Sequence, residues 1–88
     1  MITKQLTVLN KLGIHARPAA QFVRVASRFQ SEVSVEKDGE AVDGKSIMGL
    51  RMLAVGWGAV VNVSTEGPDE AEAMQALEEL VNSKFGEE

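Results

Sequence analysis

The sequence contains no cysteine and only one histidine among its 88 residues. The lack of cysteine excludes disulfide bonds and thiol chemistry, and a lone histidine argues against a zinc site of the His/Cys kind. No stretch approaches the ~20 apolar residues of a membrane-spanning helix. We therefore expect no metal, no cofactor and no membrane insertion.

Basic residues are also few, since the nine lysines and arginines are outnumbered by 13 acidic residues, and the net charge is −4. Nucleic-acid binding needs a concentrated basic face, so this charge argues against that class of partner. The first ten residues alternate polar and apolar side chains, unlike a secretory signal. We expect one domain spanning residues 1–88, monomeric and cytoplasmic.

Segments with two different spacings of apolar residues follow one another along the chain. Period-two patterns predict strands, and i, i+3, i+4 patterns predict helices. The order β-α-β-β-α-β-α predicts an α+β fold in which helices cover one face of an antiparallel sheet. Strands are predicted at 2–9, around 33–35, at 40–43 with an Asp38-Gly39 hairpin turn before it, and at 59–65. Helices are predicted from Ala16, over 47–53, and from Glu70 to a stop at Gly86.

Helical spacing also predicts which side chains are buried. Ile47 is expected in the core, while Met48 and Met52 are expected on a partly exposed stripe beside it. Trp57 is expected to anchor the core or its own loop. The expected core residues of the first and last helices are Ala19, Phe22, Val23 and Ala26, and Ala71, Met74, Leu77, Leu80 and Val81.

The only histidine, His15, comes directly before a helix whose first turn contains Pro18, a residue suited to a helix start. The positive end of the helix disfavours imidazolium and so favours the nucleophilic neutral ring. A phosphoryl group on that ring would meet free N–H groups and the Arg17 guanidinium. On these grounds alone, a solvated surface histidine beside an exposed arginine is an equally good interpretation.

The segment NKLGIHARPAA, residues 10–20, resembles the active-site signature of HPr, the histidine phosphocarrier family of the bacterial sugar phosphotransferase system. The similarity extends over the whole chain, with matching length and element order. It includes GKSIMGL, residues 44–50, which resembles the regulatory serine segment of that family. Residues 10–13 and 80–86 resemble the nitrogen-related paralogue as much as the sugar carrier.

The resemblance implies a phosphoryl relay and a particular sheet. Enzyme I, phosphorylated by phosphoenolpyruvate, would pass its phosphoryl group to Nδ1 of His15, beside the neutralising Arg17, and IIA components would receive it. The four-stranded sheet would have the order 1-4-2-3 in an open-faced β-sandwich. The docking face for these partners would combine the starts of the first two helices, at Ala16, Ala20, Gln21, Ile47, Met48 and Arg51.

Ser46 has two compatible interpretations. Serine is among the best N-cap residues, and one is needed where the second helix begins. The resemblance adds that the matching serine is the target of an ATP-dependent HPr kinase/phosphorylase in many bacteria. Residues 39–46 also match the P-loop pattern G-x-x-x-x-G-K-[ST]. We reject nucleotide binding, because Glu40 and Asp43 would bring negative charge to the phosphates and Gly39 serves the hairpin turn.

Two other classes of function compete with a phosphocarrier. A regulatory adaptor of the nitrogen-related branch would bind proteins without carrying phosphate, yet His15 and Arg17 are both present here. An enzyme would need a second catalytic group, and no paired histidine or carboxylate cluster accompanies His15. We therefore predict a phosphoryl-carrying intermediate that is not an enzyme by itself.

Overall fold

Four strands and three α-helices follow one another in the predicted order over residues 1–87, which the computed structural model describes. A short 3₁₀ turn follows the last helix. In those residues, no helix combines the length and apolar character needed to cross a membrane. The strands are β1 (Ile2–Thr7), β2 (Glu32–Lys37), β3 (Glu40–Asp43) and β4 (Val60–Glu66), and the helices are α1 (Ala16–Ala26), α2 (Ile47–Met52) and α3 (Glu70–Asn82).

The strands form one antiparallel sheet in the order β1-β4-β2-β3, as the family resemblance implied. The valine-rich β4 lies in the interior of the sheet, where Val63 pairs with Lys4 on one side and Val35 on the other. The β2–β3 hairpin turns at Asp38 and Gly39, whose φ angles of 53° and 84° suit a tight primed turn. The predicted hairpin is therefore confirmed.

The core lies between one face of this sheet and the covering helices. In β2 and β4, buried residues alternate with exposed or half-buried ones, as expected when one sheet face packs and the other meets solvent. Phe22 of α1 is fully buried, as predicted, and Leu77 of α3 lies in the same core cluster. Ala71 was predicted as buried and is exposed instead, because it lies outside the buried stripe of α3, which consists of Ala73, Met74, Leu77 and Val81.

Two further burial predictions are wrong. Ile47 is 42% exposed, because it is the first residue of the six-residue α2, and only Leu50 and Leu53 reach the core from this segment. Trp57 is 71% exposed. Its loop is fixed by the backbone, through the hydrogen bond of 2.8 Å from Gly58 N–H to the Val8 carbonyl, and the indole is left outside. Met48 and Met52 are exposed, as predicted.

The chain end also differs from the prediction. α3 ends at Asn82 rather than near Gly86, and a 3₁₀ turn over Lys84–Gly86 follows. Lys84, Phe85 and Gly86 all have positive φ, so the chain reverses its course there. Phe85 is only 2% exposed and joins the core. This buried anchor holds Glu87, two residues further on, beside the start of α1.

Candidate functional site

His15 is the N-cap residue of α1, as the sequence predicted. Its backbone is extended, and its carbonyl accepts the first helical hydrogen bond from Ala19 N–H at 2.9 Å. The imidazole makes no capping hydrogen bond to the helix, and the side chain is 37% exposed. The first-turn N–H groups of α1 are therefore not occupied by a capping side chain.

The loop before His15 is held against the segment at residues 55–56. Gly13 has a φ of +71°, and a Cβ at this position would lie 2.3 Å from the Val55 carbonyl oxygen. The same carbonyl accepts a hydrogen bond of 2.9 Å from Ile14 N–H. Only glycine allows this close approach, so the backbone next to His15 is fixed by the fold.

A carboxylate contacts the histidine ring. Nε2 of His15 lies 3.0 Å from Oε2 and 3.3 Å from Oε1 of Glu87. Oε1 of Glu87 also accepts a hydrogen bond of 3.0 Å from Nδ2 of Asn10. Asn10 is fully buried and donates a second bond, of 2.6 Å, to the Gly13 carbonyl. The loop, the ring and the chain end are thus joined in one network.

Sequence reasoning missed this network. Asn10 entered the prediction only as part of a matched motif, and no role was predicted for Glu87. The contact depends on the reversal at residues 84–86 and on the burial of Phe85. A phenylalanine before Gly86 was the one signal that this segment packs against the domain.

Arg17 lies in the first turn of α1 and is exposed. Its guanidinium makes no ion pair with any of residues 1–87, and no acidic residue lies in the first turn of this helix. The positive end of the helix, its uncapped N–H groups and a free guanidinium therefore favour an anion beside His15.

Ser46 caps α2, as predicted. Its Oγ accepts a hydrogen bond of 3.0 Å from Gly49 N–H. The structural reasons for rejecting the P-loop pattern also hold, because Gly39 lies in the hairpin turn and residues 40–43 form β3. Nζ of Lys45 donates to the Phe29 carbonyl at 2.9 Å and is not poised over the loop for phosphate.

The predicted docking residues lie on two helices that pack against each other, α1 and α2. Met48 is 72% exposed and Ile47 42% exposed, so both are accessible to a partner. Ala16 and Arg51 are also exposed, whereas Ala20 is half-buried. Gln21 is half-buried as well, and its Oε1 is buried without a hydrogen-bond partner among the described residues.

The fold and the site together define a small α+β domain with an accessible imidazole at an anion-favouring helix start. Comparison with known proteins narrows this class. Residues 2–83 match the family model described as the PTS HPr component phosphorylation site. The phosphocarrier protein HPr of Neisseria meningitidis serogroup B is 52% identical over 87 residues, which are 99% of this chain and 98% of that protein.

Solved structures agree with this match. The crystal structure of HPr-C-His from Thermoanaerobacter tengcongensis has a TM-score of 0.97 and 53% identity, covering 100% of this chain and 99% of that one. A crystal structure described as an HPr dimer from the same organism has a TM-score of 0.80 and 56% identity, covering 91% and 92%. The chain belongs to the HPr family, the phosphocarriers of the phosphotransferase system.

Proposed function

We propose that this chain accepts a phosphoryl group from phosphorylated enzyme I on Nδ1 of His15 and transfers it to IIA components. The observation that carries the proposal is the position of His15, whose accessible ring stands at an uncapped helix start beside the unpaired Arg17. Family membership supports the same chemistry. In this role the chain is a carrier between two enzymes and not an enzyme itself.

The proposed transfer is a substitution at phosphorus. The lone pair of Nδ1 forms the new N–P bond, while the bond between phosphorus and enzyme I breaks and its electron pair stays with enzyme I. Arg17 and the first-turn N–H groups of α1 stabilise the negative phosphoryl oxygens during this step. The reverse sequence, with a IIA component as the attacking partner, releases the phosphoryl group.

The proposal extends to the protein's setting and regulation. Ala16, Ala20, Gln21, Ile47, Met48 and Arg51 form the docking face, and the chain acts in the cytoplasm as a single, monomeric domain. Ser46 serves as a regulatory phosphorylation site for an HPr kinase/phosphorylase, because a phosphate there would place charge of about −1.5 to −2 beside the docking face.

A second candidate function is a regulatory adaptor of the nitrogen-related branch. The exposed apolar side chains on α2, Met48 and Met52, favour protein binding as such. The two functions differ in one respect, since an adaptor needs no phosphoryl group on His15.

Incubation with enzyme I and labelled phosphoenolpyruvate tests the proposal. We expect one acid-labile phosphoryl group per chain, and its loss when a IIA component is added. His15→Ala should take no label, while its circular dichroism spectrum stays that of the folded protein. Persistent labelling of that variant would contradict the assignment of His15, and an unlabelled wild-type chain would favour the adaptor.

A further inference from the structure

We infer that Glu87 is a positioning residue for phosphoryl transfer, holding the proton on Nε2 of His15 so that Nδ1 presents its lone pair. The inference rests on the proposed function of His15 and assigns a role to a residue outside the matched segment 2–83. It starts from the contact between the Glu87 carboxylate and the imidazole.

The contact selects one tautomer of the ring. An ionised carboxylate can only accept hydrogen bonds, so at 3.0 Å from Oε2 the Nε2 atom must be the donor. The proton of the neutral ring then lies on Nε2, and Nδ1 carries the lone pair. None of residues 1–87 forms a hydrogen bond with Nδ1, so this atom is available to an incoming phosphorus.

The carboxylate is itself held in place. The Glu87 side chain is only 15% exposed, and Asn10, which is fully buried, donates a hydrogen bond of 3.0 Å to its Oε1. The burial of Phe85, two residues earlier, fixes the chain on the preceding side. A partly shielded carboxylate with a second donor keeps its orientation better than an exposed glutamate, which loses side-chain entropy on pairing.

This arrangement suits the charge changes of the transfer. When Nδ1 forms the N–P bond, the ring acquires imidazolium character, and the proton stays on Nε2 throughout. No proton has to leave Nδ1, and the positive ring faces the Glu87 carboxylate. The carboxylate of a hydrolase triad likewise orients a histidine and stabilises its imidazolium.

Replacing the carboxylate by an amide tests the inference. Glu87→Gln keeps the size of the side chain, but its NH₂ group can donate to Nε2 and so favour the wrong tautomer. We expect phosphoryl transfer from enzyme I to slow by about tenfold, the lower end of the effect of removing the orienting partner of a metal-bound histidine. Glu87→Asp, which keeps an acceptor at shorter reach, should transfer at an intermediate rate.

The matched control is Glu72→Gln, since Glu72 is exposed on α3 and makes no side-chain hydrogen bond to the described residues. Its transfer rate should equal that of the wild type. Nitrogen-15 NMR of the His15 ring at about pH 9, well above the usual histidine pKa of about 6.5, measures the two neutral tautomers directly. We expect the Nε2–H form in the wild type and a larger share of the Nδ1–H form in Glu87→Gln.

Wild-type transfer by Glu87→Gln, or faster transfer, would overturn the inference, as would slower transfer with unchanged tautomer populations. The last result would mean that Glu87 only anchors the chain end. Failure of the proposed function is distinguishable, because it would leave the wild-type chain itself unlabelled. The tautomer measurement needs no enzyme I and still decides whether Glu87 sets the proton position.

Discussion

The helices α1 and α2 begin in opposite ways. Ser46 closes the start of α2 with a side-chain hydrogen bond of 3.0 Å from Gly49 N–H, whereas His15 at the start of α1 makes no such bond. A serine, aspartate or asparagine cap is worth about 1 kcal/mol to a helix. The start of α1 lacks this stabilisation, and on our proposal its unoccupied N–H groups and the imidazole are available to an anion.

The start of α3 is a third case. Asp69 is its N-cap residue, yet its carboxylate makes no bond to its own helix and instead accepts from the backbone N–H groups of Gln30 and Ser31, at 2.9 Å each. Its side chain therefore ties the loop after α1 to the start of α3. The start of α2 thus contributes to stability, the start of α3 to tertiary structure and the start of α1, on our proposal, to chemistry.

Among variants that keep His15, the largest effect is expected at Arg17. Arg17→Glu replaces the cation beside His15 by an anion, so phosphoryl transfer from enzyme I should slow by at least about 100-fold, the lower end for losing a charge-stabilising donor. Stability should change by no more than about 0.5 kcal/mol, because the side chain is exposed. Rapid-quench kinetics and thermal denaturation measure the two quantities.

Arg28→Glu provides the control for that change, since Arg28 is exposed and lies outside α1. It alters the net charge equally and should leave the transfer rate near that of the wild type. Equal rates for the two variants would show that Arg17 acts only through overall charge.

At Ser46, stability and docking should separate. Ser46→Ala removes the cap of α2 and should cost about 0.5–2 kcal/mol in denaturant unfolding. Ser46→Asp keeps a capping acceptor at a helix start that favours negative charge, so its stability should match the wild type. It should nevertheless weaken binding to enzyme I, measured by titration calorimetry, because it adds an anion beside Ile47 and Met48. Wild-type binding by Ser46→Asp would leave Ser46 as a cap alone.

Two substitutions of His15 test whether the start of α1 can accept a side-chain cap as the start of α2 does. His15→Ala and His15→Ser both lose the contact with Glu87 and the nucleophile, and they differ only in the capping hydroxyl. The serine variant should therefore be more stable than the alanine variant by about 0.5–2 kcal/mol, while neither accepts phosphate. Equal unfolding free energies would mean that the start of α1 cannot accept a side-chain cap.

The smallest effect concerns acid stability. The hydrogen bond from Ser31 Oγ, followed by that from Gln30 N–H, holds the pKa of Asp69 below its usual value of 3.8. The unfolded chain therefore binds this proton first as the pH falls, so Asp69 stabilises the fold above about pH 4 and loses that contribution as pH falls through the lowered pKa. Asp69→Asn should therefore reduce the fall in the free energy of unfolding between about pH 4 and pH 2, measured by urea titrations.

Asp69→Asn should still lose some stability as the pH falls, because Glu70 contributes as well. The backbone N–H of Gly67, and after it the N-terminal ammonium, hold the pKa of Glu70 below 4.5 in the same way. An unchanged pH dependence in Asp69→Asn would show that the hydrogen bonds from Gln30 and Ser31 do not lower the pKa of Asp69.

The element order, the hairpin at Asp38-Gly39 and the cap at Ser46 could be predicted from sequence because each depends on a local signal. The strand order could not be derived from periodicity and came only from the family resemblance. Burial predictions were wrong at helix and loop edges, as with Ile47 and Trp57, where exposure depends on which way a short segment turns.

The candidate site likewise contains residues that the sequence could predict and residues that it could not. His15 and Arg17 are neighbours in sequence, so helix-start chemistry singled them out, and the family resemblance favoured a phosphoryl site over a solvated surface pair. Asn10 and Glu87 are separated by 77 positions and meet only because the chain reverses after α3. Positive φ at Lys84 and Phe85 has no sequence signal comparable to glycine, so this contact needed the structure.

On our proposal, Nδ1 of His15 is the atom that carries the phosphoryl group. The most direct test is NMR of the nitrogen-15-labelled wild-type chain after incubation with enzyme I and phosphoenolpyruvate, observing both ring nitrogens and phosphorus-31. We expect a single phosphoryl group whose phosphorus couples to Nδ1, with the proton retained on Nε2. A phosphoryl group on Nε2, on another residue, or on none would contradict it.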